Sequence, residues 1–187
     1  MKKKILIIHG WDDNGTSYWI PWLKKQLEKR DFVVYNPDFP NPKYPQLSEW
    51  VKTARNTVGK FDNQTIIIAY SSGFTFSLQL LSQLKLAEKI DKLIGLAPFD
   101  RPLDMGGNET EDLYKPPINY NNIQNKADSF YLIASDNDPY IPLKIPRRIQ
   151  KELNAQLQVI KGGGLLNYKS GYNHPYEILN IIDEKSS

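Results

Sequence analysis

Six short apolar runs stand too far apart for hairpins, and that spacing constrains the fold more than any other feature of the chain. The runs are KILIIHG (4–10), FVVYNPD (32–38), TIIIAYS (65–71), KLIGLAP (92–98), SFYLIAS (129–135) and QLQVIKG (156–162). Each reads as a strand buried on both faces, where apolar residues run on instead of alternating with polar ones. Helical patterns fill most of the gaps, at 18–29, 47–58, 74–85, 145–153 and 175–183. In the first of these Trp19, Leu23 and Leu27 share one side with lysines opposite, so that side packs on the sheet. Strands alternating with helices predict right-handed crossovers and a single α/β domain, a mostly parallel sheet with helices on both faces.

The totals agree with one domain, since 187 residues bury a single core readily. A net charge of +3 from 24 basic and 21 acidic residues, spread along the chain, lacks the basic stripe a nucleic-acid binder needs. The apolar run near the start, 5–8, is stopped by His9, Gly10 and two aspartates, too soon for a signal peptide. Nothing approaches a membrane span, and the cytoplasm is the expected compartment. With no Cys and only His9 and His174, a zinc site is poorly supplied and none is expected. The one irregular connection, 99–126, is rich in Pro, Gly, Asn and acids. A link of that length reads as a lid or mobile loop.

In open sheets of this kind ligands bind beyond the carboxyl ends of the strands, so chemistry is sought in the residues just after each run. After the third run stands Ser71-Ser72-Gly73. A sharp strand-to-helix turn that presents a nucleophile needs small residues two before and two after it. Ser71 has Ala69 and Gly73 there, whereas Ser72 has Tyr70 and Phe74, which singles out Ser71. The competing reading is a pair of serines that merely cap the next helix. After the first run, Gly10 allows backbone to approach a reacting carbonyl. The backbone N–H groups of Trp11 and Ser72 are the candidate oxyanion donors, and His9 belongs to the scaffold of that loop. After the fifth run Asp136 and Asp138 both qualify as the acid of a Ser-His-acid triad, with Pro139 and Pro142 fixing the turn around Asp138. A nucleotide-binding reading fails because HGWDDNGTS supplies only Gly10 and Gly15 of a Gly-x-Gly-x-x-Gly turn.

The segments IIHGW, YWIPWLKKQLEKR, NPDFPNPKYPQLSEWV, AYSSG and SDNDPYIP together resemble the α/β-hydrolase superfamily, within it the small serine hydrolases related to retinoblastoma-binding protein 9 and the bacterial YdeN-like proteins. The resemblance runs almost end to end. It implies an α/β-hydrolase fold without a large cap, Ser71 as nucleophile, Asp138 as the acid, small ester or amide substrates, and no metal or organic cofactor. One departure stands out. The family's histidine lies after the last strand in a Gly-Gly-His segment, and the corresponding KGGGLLNYKSGYNH puts Leu165 at that position, or Gly164 after a one-residue shift. Neither accepts a proton. His174 lies nine residues beyond Leu165 and is the candidate replacement base, a span of up to roughly 30 Å when extended. Two functions are open to such a chain: a serine hydrolase served by His174, or a hydrolase-fold protein without triad catalysis that binds a ligand or a protein partner.

Overall fold

The computed structural model describes residues 2–103 and 111–184. Six strands, β1 (Lys4–Ile8), β2 (Val33–Tyr35), β3 (Thr65–Tyr70), β4 (Ile90–Leu96), β5 (Ala127–Ser135) and β6 (Gln156–Ile160), form one sheet in the order β2-β1-β3-β4-β5-β6. Every pairing is parallel, as continuous apolar runs joined by helical crossovers require. Around it lie α1 (Ile20–Glu28), α2 (Leu47–Val58), α3 (Ser72–Ser82), α4 (Tyr120–Ile123), α5 (Lys144–Leu153) and α6 (Tyr176–Asp183).

Burial follows position in the sheet. Strands β3 and β4 are buried at every residue, while β6, at an edge, alternates between exposed and half-buried. Helix α3 is buried from Ser72 through Leu81, whereas α1 buries only Ile20, Leu23 and Leu27 and turns its lysines outward. Chain order reverses at β1, which has β2 on one side and β3 on the other. Sheets of this class bind ligands at such a reversal, beyond the carboxyl ends of the two strands, here β1 and β3.

Several elements begin earlier than their apolar patterns suggest. Strand β4 takes in Ile90 and Asp91, and β5 takes in Ala127 and Asp128. Each charge finds a partner on a neighbouring segment: Lys3 lies 2.8 Å from Asp91, and Lys89 lies 2.6 Å from Asp128. The described parts of the connection 99–126, residues 99–103 and 111–126, are also more ordered than their composition implies. They contain a short 3-10 turn, Glu111–Leu113, and α4, with Leu113 and Ile123 fully buried. Gln79 Nε2 donates to the carbonyls of Leu113 and Pro116, and Asp112 Oδ2 accepts from the Leu47 N–H at 2.7 Å, serving the start of α2. Asp100 accepts from Arg148 of α5 and from the Tyr120 hydroxyl, tying the segment down from its other side. Its residues 104–110, part of the expected lid, lie outside the described residues. No described helix is long and apolar enough to cross a membrane.

Helix α3 sits so close to the sheet that β4 carries a glycine beneath it. A Cβ on Gly95 would lie 2.3 Å from Cδ2 of the buried Phe74 ring. Gly95→Ala is therefore expected to cost about 1–3 kcal/mol through overpacking. It should lower the urea midpoint with little change in slope, and an unchanged midpoint would show that the ring yields freely.

Candidate active site

The turn from β3 into α3 holds Ser71 at φ +54° and ψ −124°, a conformation L-residues rarely adopt. Its N–H donates to the Leu96 carbonyl at 2.9 Å, and its carbonyl accepts from Phe74 N–H at 2.9 Å, so the strain is held from both sides. Two residues on, a Cβ at Gly73 would stand 2.4 Å from the His9 carbonyl oxygen and 2.8 Å from that of Ile8. Only glycine fits. Ser71 is half-buried and Ser72 fully buried, its hydroxyl without a partner among the described residues.

Beside this turn runs the loop after β1. His9 is buried between the edges of Phe39 and Trp50 and uses both ring nitrogens. Its Nε2 accepts from the Phe39 N–H at 2.9 Å, so Nδ1 carries the proton and donates to the Gly10 carbonyl at 2.9 Å. Burial lowers its pKa, and the ring is neutral. Gly10 presses its backbone on the nucleophile candidate, since a Cβ there would lie 3.2 Å from Ser71 Cβ and 3.1 Å from Tyr70 Cδ1. The Trp11 indole N–H donates to Lys43 O and the Asp12 N–H to Pro42 O, which fastens the loop to the segment after β2. Among the described residues the backbone N–H groups of Trp11 and Ser72 have no acceptor.

The two aspartates after β5 occupy different surroundings. Asp138 is half-buried, and its Oδ1 accepts from the N–H groups of Tyr140 and Ile141 at 2.9 Å. Burial nevertheless raises its pKa. Asp136 is exposed and accepts from the Gly162 N–H at 2.7 Å, and Asn137 Oδ1 accepts from Gly164 N–H at 2.8 Å. This turn thus grips the glycine-rich loop after β6.

That loop carries Leu165 where an imidazole was expected. Its carbonyl accepts from the Tyr70 hydroxyl at 2.9 Å, its N–H donates to Ser170 Oγ at 3.2 Å, and the next carbonyl, of Leu166, accepts from the Trp19 indole at 3.0 Å. Asn167 Nδ2 donates back to the Tyr70 hydroxyl at 3.2 Å. His174 is exposed, its ring centroid 4.8 Å from that of Trp22 and 5.9 Å from that of Tyr176. No hydrogen bond among the described residues joins it to Ser71 or Asp138. The reason is local, because Pro175 directs the chain straight into α6 and aromatic neighbours on α1 and α6 hold the ring.

Sequence reasoning passed over Asp13, Tyr18, Tyr70 and Asn167, all close to this turn. Asp13 Oδ2 would lie 2.8 Å from a Cβ on Gly10, and burial pushes its carboxyl up to about 6. The signal was the acid three residues past Gly10, masked by a second acid beside it. Among the described residues no group of three or more His, Asp and Glu is placed to hold a metal ion.

A family model described as serine hydrolase matches residues 5–184. YdeN of Bacillus subtilis is 26% identical over 190 residues, covering 100% of both chains. Serine hydrolase RBBP9 of Rattus norvegicus is 24% identical over 152 residues, 80% of this chain and 78% of its own. The crystal structure of the B. subtilis ydeN product superposes with a TM-score of 0.90 at 24% identity, covering 97% of each chain. Est1E of Butyrivibrio proteoclasticus, solved with ferulic acid bound, gives 0.70 at 13% identity over 97% of this chain and 90% of that one. The fold is that of the α/β-hydrolases.

His9→Ala leaves the Gly10 carbonyl and the Phe39 N–H unpaired, which is expected to cost roughly 2–4 kcal/mol at pH 8. The unfolded chain protonates His9 near pH 6.5 and the folded chain only lower, so the unfolded state holds more protons below 6.5 and the stability due to His9 falls with pH. The penalty of His9→Ala should therefore shrink between pH 7 and pH 5. A penalty that stays constant over that range in urea titrations overturns the neutral assignment.

Proposed function

The chain belongs to the serine hydrolase family, and from that premise we propose that it cleaves small ester or amide substrates with Ser71 as the nucleophile. One observation carries the reading: half-buried Ser71 stands at a positive φ after β3, next to the point where the order of strands reverses, with the Gly10 backbone against its Cβ. Ser71 Oγ attacks the substrate carbonyl carbon, and the oxygen that gains charge is received by the N–H groups of Trp11 and Ser72. His9, neutral and doubly bonded, holds the first of those donors in place through Gly10. Asp138 takes the position of the acid, its Oδ1 occupied by two backbone N–H groups. No hydrogen bond among the described residues joins His174 to Asp138 or Ser71, and its ring packs instead against Trp22 and Tyr176.

A second reading is favoured by Leu165. A site that lacks its histidine but keeps its crevice and its oxyanion donors suits a protein that binds a carbonyl ligand or a protein partner and turns it over slowly, if at all.

A fluorophosphonate probe separates the readings. On the hydrolase reading it modifies wild-type protein and not Ser71→Ala, and His174→Ala labels within about twofold of wild type. Leu165→His should raise the labelling rate by on the order of 10²-fold, the usual contribution of a positioned base. Asp138→Asn should cancel that gain. Silence of the wild type with rescue by Leu165→His supports the binding reading, whereas loss of labelling in His174→Ala assigns the base to His174.

A further inference from the structure

We propose that Asp13, in the loop after β1, is the base that serves Ser71. The inference rests on the reading of Ser71 as nucleophile and supplies the proton acceptor that reading lacks. A Cβ on Gly10 would lie 2.8 Å from Asp13 Oδ2 and 3.2 Å from Ser71 Cβ, so the carboxylate oxygen and Ser71 Cβ are at most 6 Å apart, the sum of the two distances. Rotation about the Cα–Cβ bond carries Oγ around that carbon, and even at the 6 Å limit one bridging water spans the gap to the carboxylate. The carboxylate belongs to the loop that also carries the Trp11 N–H, and that loop is tethered at Trp11 and Asp12 to the segment after β2.

Its surroundings suit the work. Burial raises its pKa to about 6, with Asp12 adding to the rise, while the Tyr18 hydroxyl, Lys169 and the Gly10 N–H favour the charged form. Tyr70, Tyr168 and Asp138 are further titratable groups around this cluster, Tyr168 with its ring centroid 5.4 Å from that of Tyr18 and Asp138 acting on Tyr70, and burial pushes the pKa of Tyr70 up. Tyr18 and Tyr70 stay protonated across the working range. A carboxylate with such a pKa is charged at neutral pH and more basic than an exposed one. Asp12 and Tyr18 themselves hold positive φ, so backbone strain is stored on either side of Asp13.

The steps balance without any further reagent. Asp13 takes the hydroxyl proton as Ser71 Oγ bonds to the carbonyl carbon, and the carbonyl electron pair moves to oxygen. Collapse expels the leaving group, which takes the proton from Asp13, and leaves an acyl-serine. Water then gives a proton to Asp13 and attacks the acyl carbon. Ser71 Oγ departs with that proton, and the acid product leaves.

The test is the rate of fluorophosphonate labelling from pH 4.5 to 9 for wild type, Asp13→Asn, Asp12→Asn, Tyr18→Phe and Ser71→Ala. Wild-type labelling should rise through an inflection near pH 6 to a plateau. Asp13→Asn should label at least tenfold more slowly with the inflection gone, and Asp12→Asn should keep the wild-type plateau. Tyr18→Phe removes a group that favours the carboxylate and should move the inflection to higher pH. It carries the test where Asp13→Asn impairs folding. Wild-type rates in Asp13→Asn, equal slowing in Asp12→Asn, or an inflection that Tyr18→Phe does not move overturn the proposal and leave Ser71 standing. An unlabelled wild type, or equal labelling of Ser71→Ala, removes Ser71 as nucleophile, and Asp13 with it.

Discussion

The approach of Gly73 to the carbonyls of Ile8 and His9 is the contact on which the rest of the site depends. A Cβ there would sit 2.4 Å from the His9 oxygen, so any other residue would push α3 away from β1. Because α3 starts against β1, the chain must turn within a single residue, and Ser71 takes the positive φ that results. The same proximity drives α3 into the middle of the fold, where it is buried on every side. It also brings the loop after β1 over the nucleophile candidate. His9, caught at the junction, is satisfied at both nitrogens and acts as a fastener between that loop and Phe39.

The loop after β6 is held by its backbone and not by the side chain at position 165. Its anchors are backbone groups: the carbonyls of Leu165 and Leu166 receive Tyr70 and Trp19, and the N–H groups of Gly162 and Gly164 reach Asp136 and Asn137. None of these depends on the side chain at 165. Packing therefore exerts little pressure to keep an imidazole there, and the loop keeps its course with leucine. Position 164 disfavours any side chain, since its φ is +53° and a Cβ would meet Ser170 Oγ at 2.3 Å.

The sheet was legible because both faces are covered, which makes each strand a continuous apolar run. Its edges were less so, because Asp91 and Asp128 look like loop residues until Lys3 and Lys89 are seen beside them. Ser71 could be distinguished from Ser72 by the size of its neighbours alone, a local steric rule that needs no tertiary knowledge. The candidate acids were harder to separate: spacing favours Asp138 over Asp136 only modestly, and their unequal burial is a product of the turn. His174 came forward because it is the one histidine downstream of Leu165, and nothing local indicates that Trp22 and Tyr176 hold its ring. Asp13 was invisible for the opposite reason. Two adjacent acids in a polar loop read as solvated, and only the folded chain turns one of them, Asp13, toward Gly10.

The placement of Asp13 works against stability. An aspartate whose pKa rises from 3.8 to about 6 binds its proton more tightly in the folded chain, so its contribution to stability declines as pH climbs between those values. Burial acts on Asp138 in the same direction. His9 has the opposite slope, gaining with pH up to about 6.5. These contributions oppose one another on the acid side of neutrality, and above pH 7 the chain keeps the full benefit of neutral His9 together with the full cost of a charged Asp13. A loop selected for stability alone would replace Asp13 with an uncharged residue of the same shape. Retaining a carboxylate in contact with Gly10, over a serine that is itself strained, makes sense where the charge has work to do on Ser71.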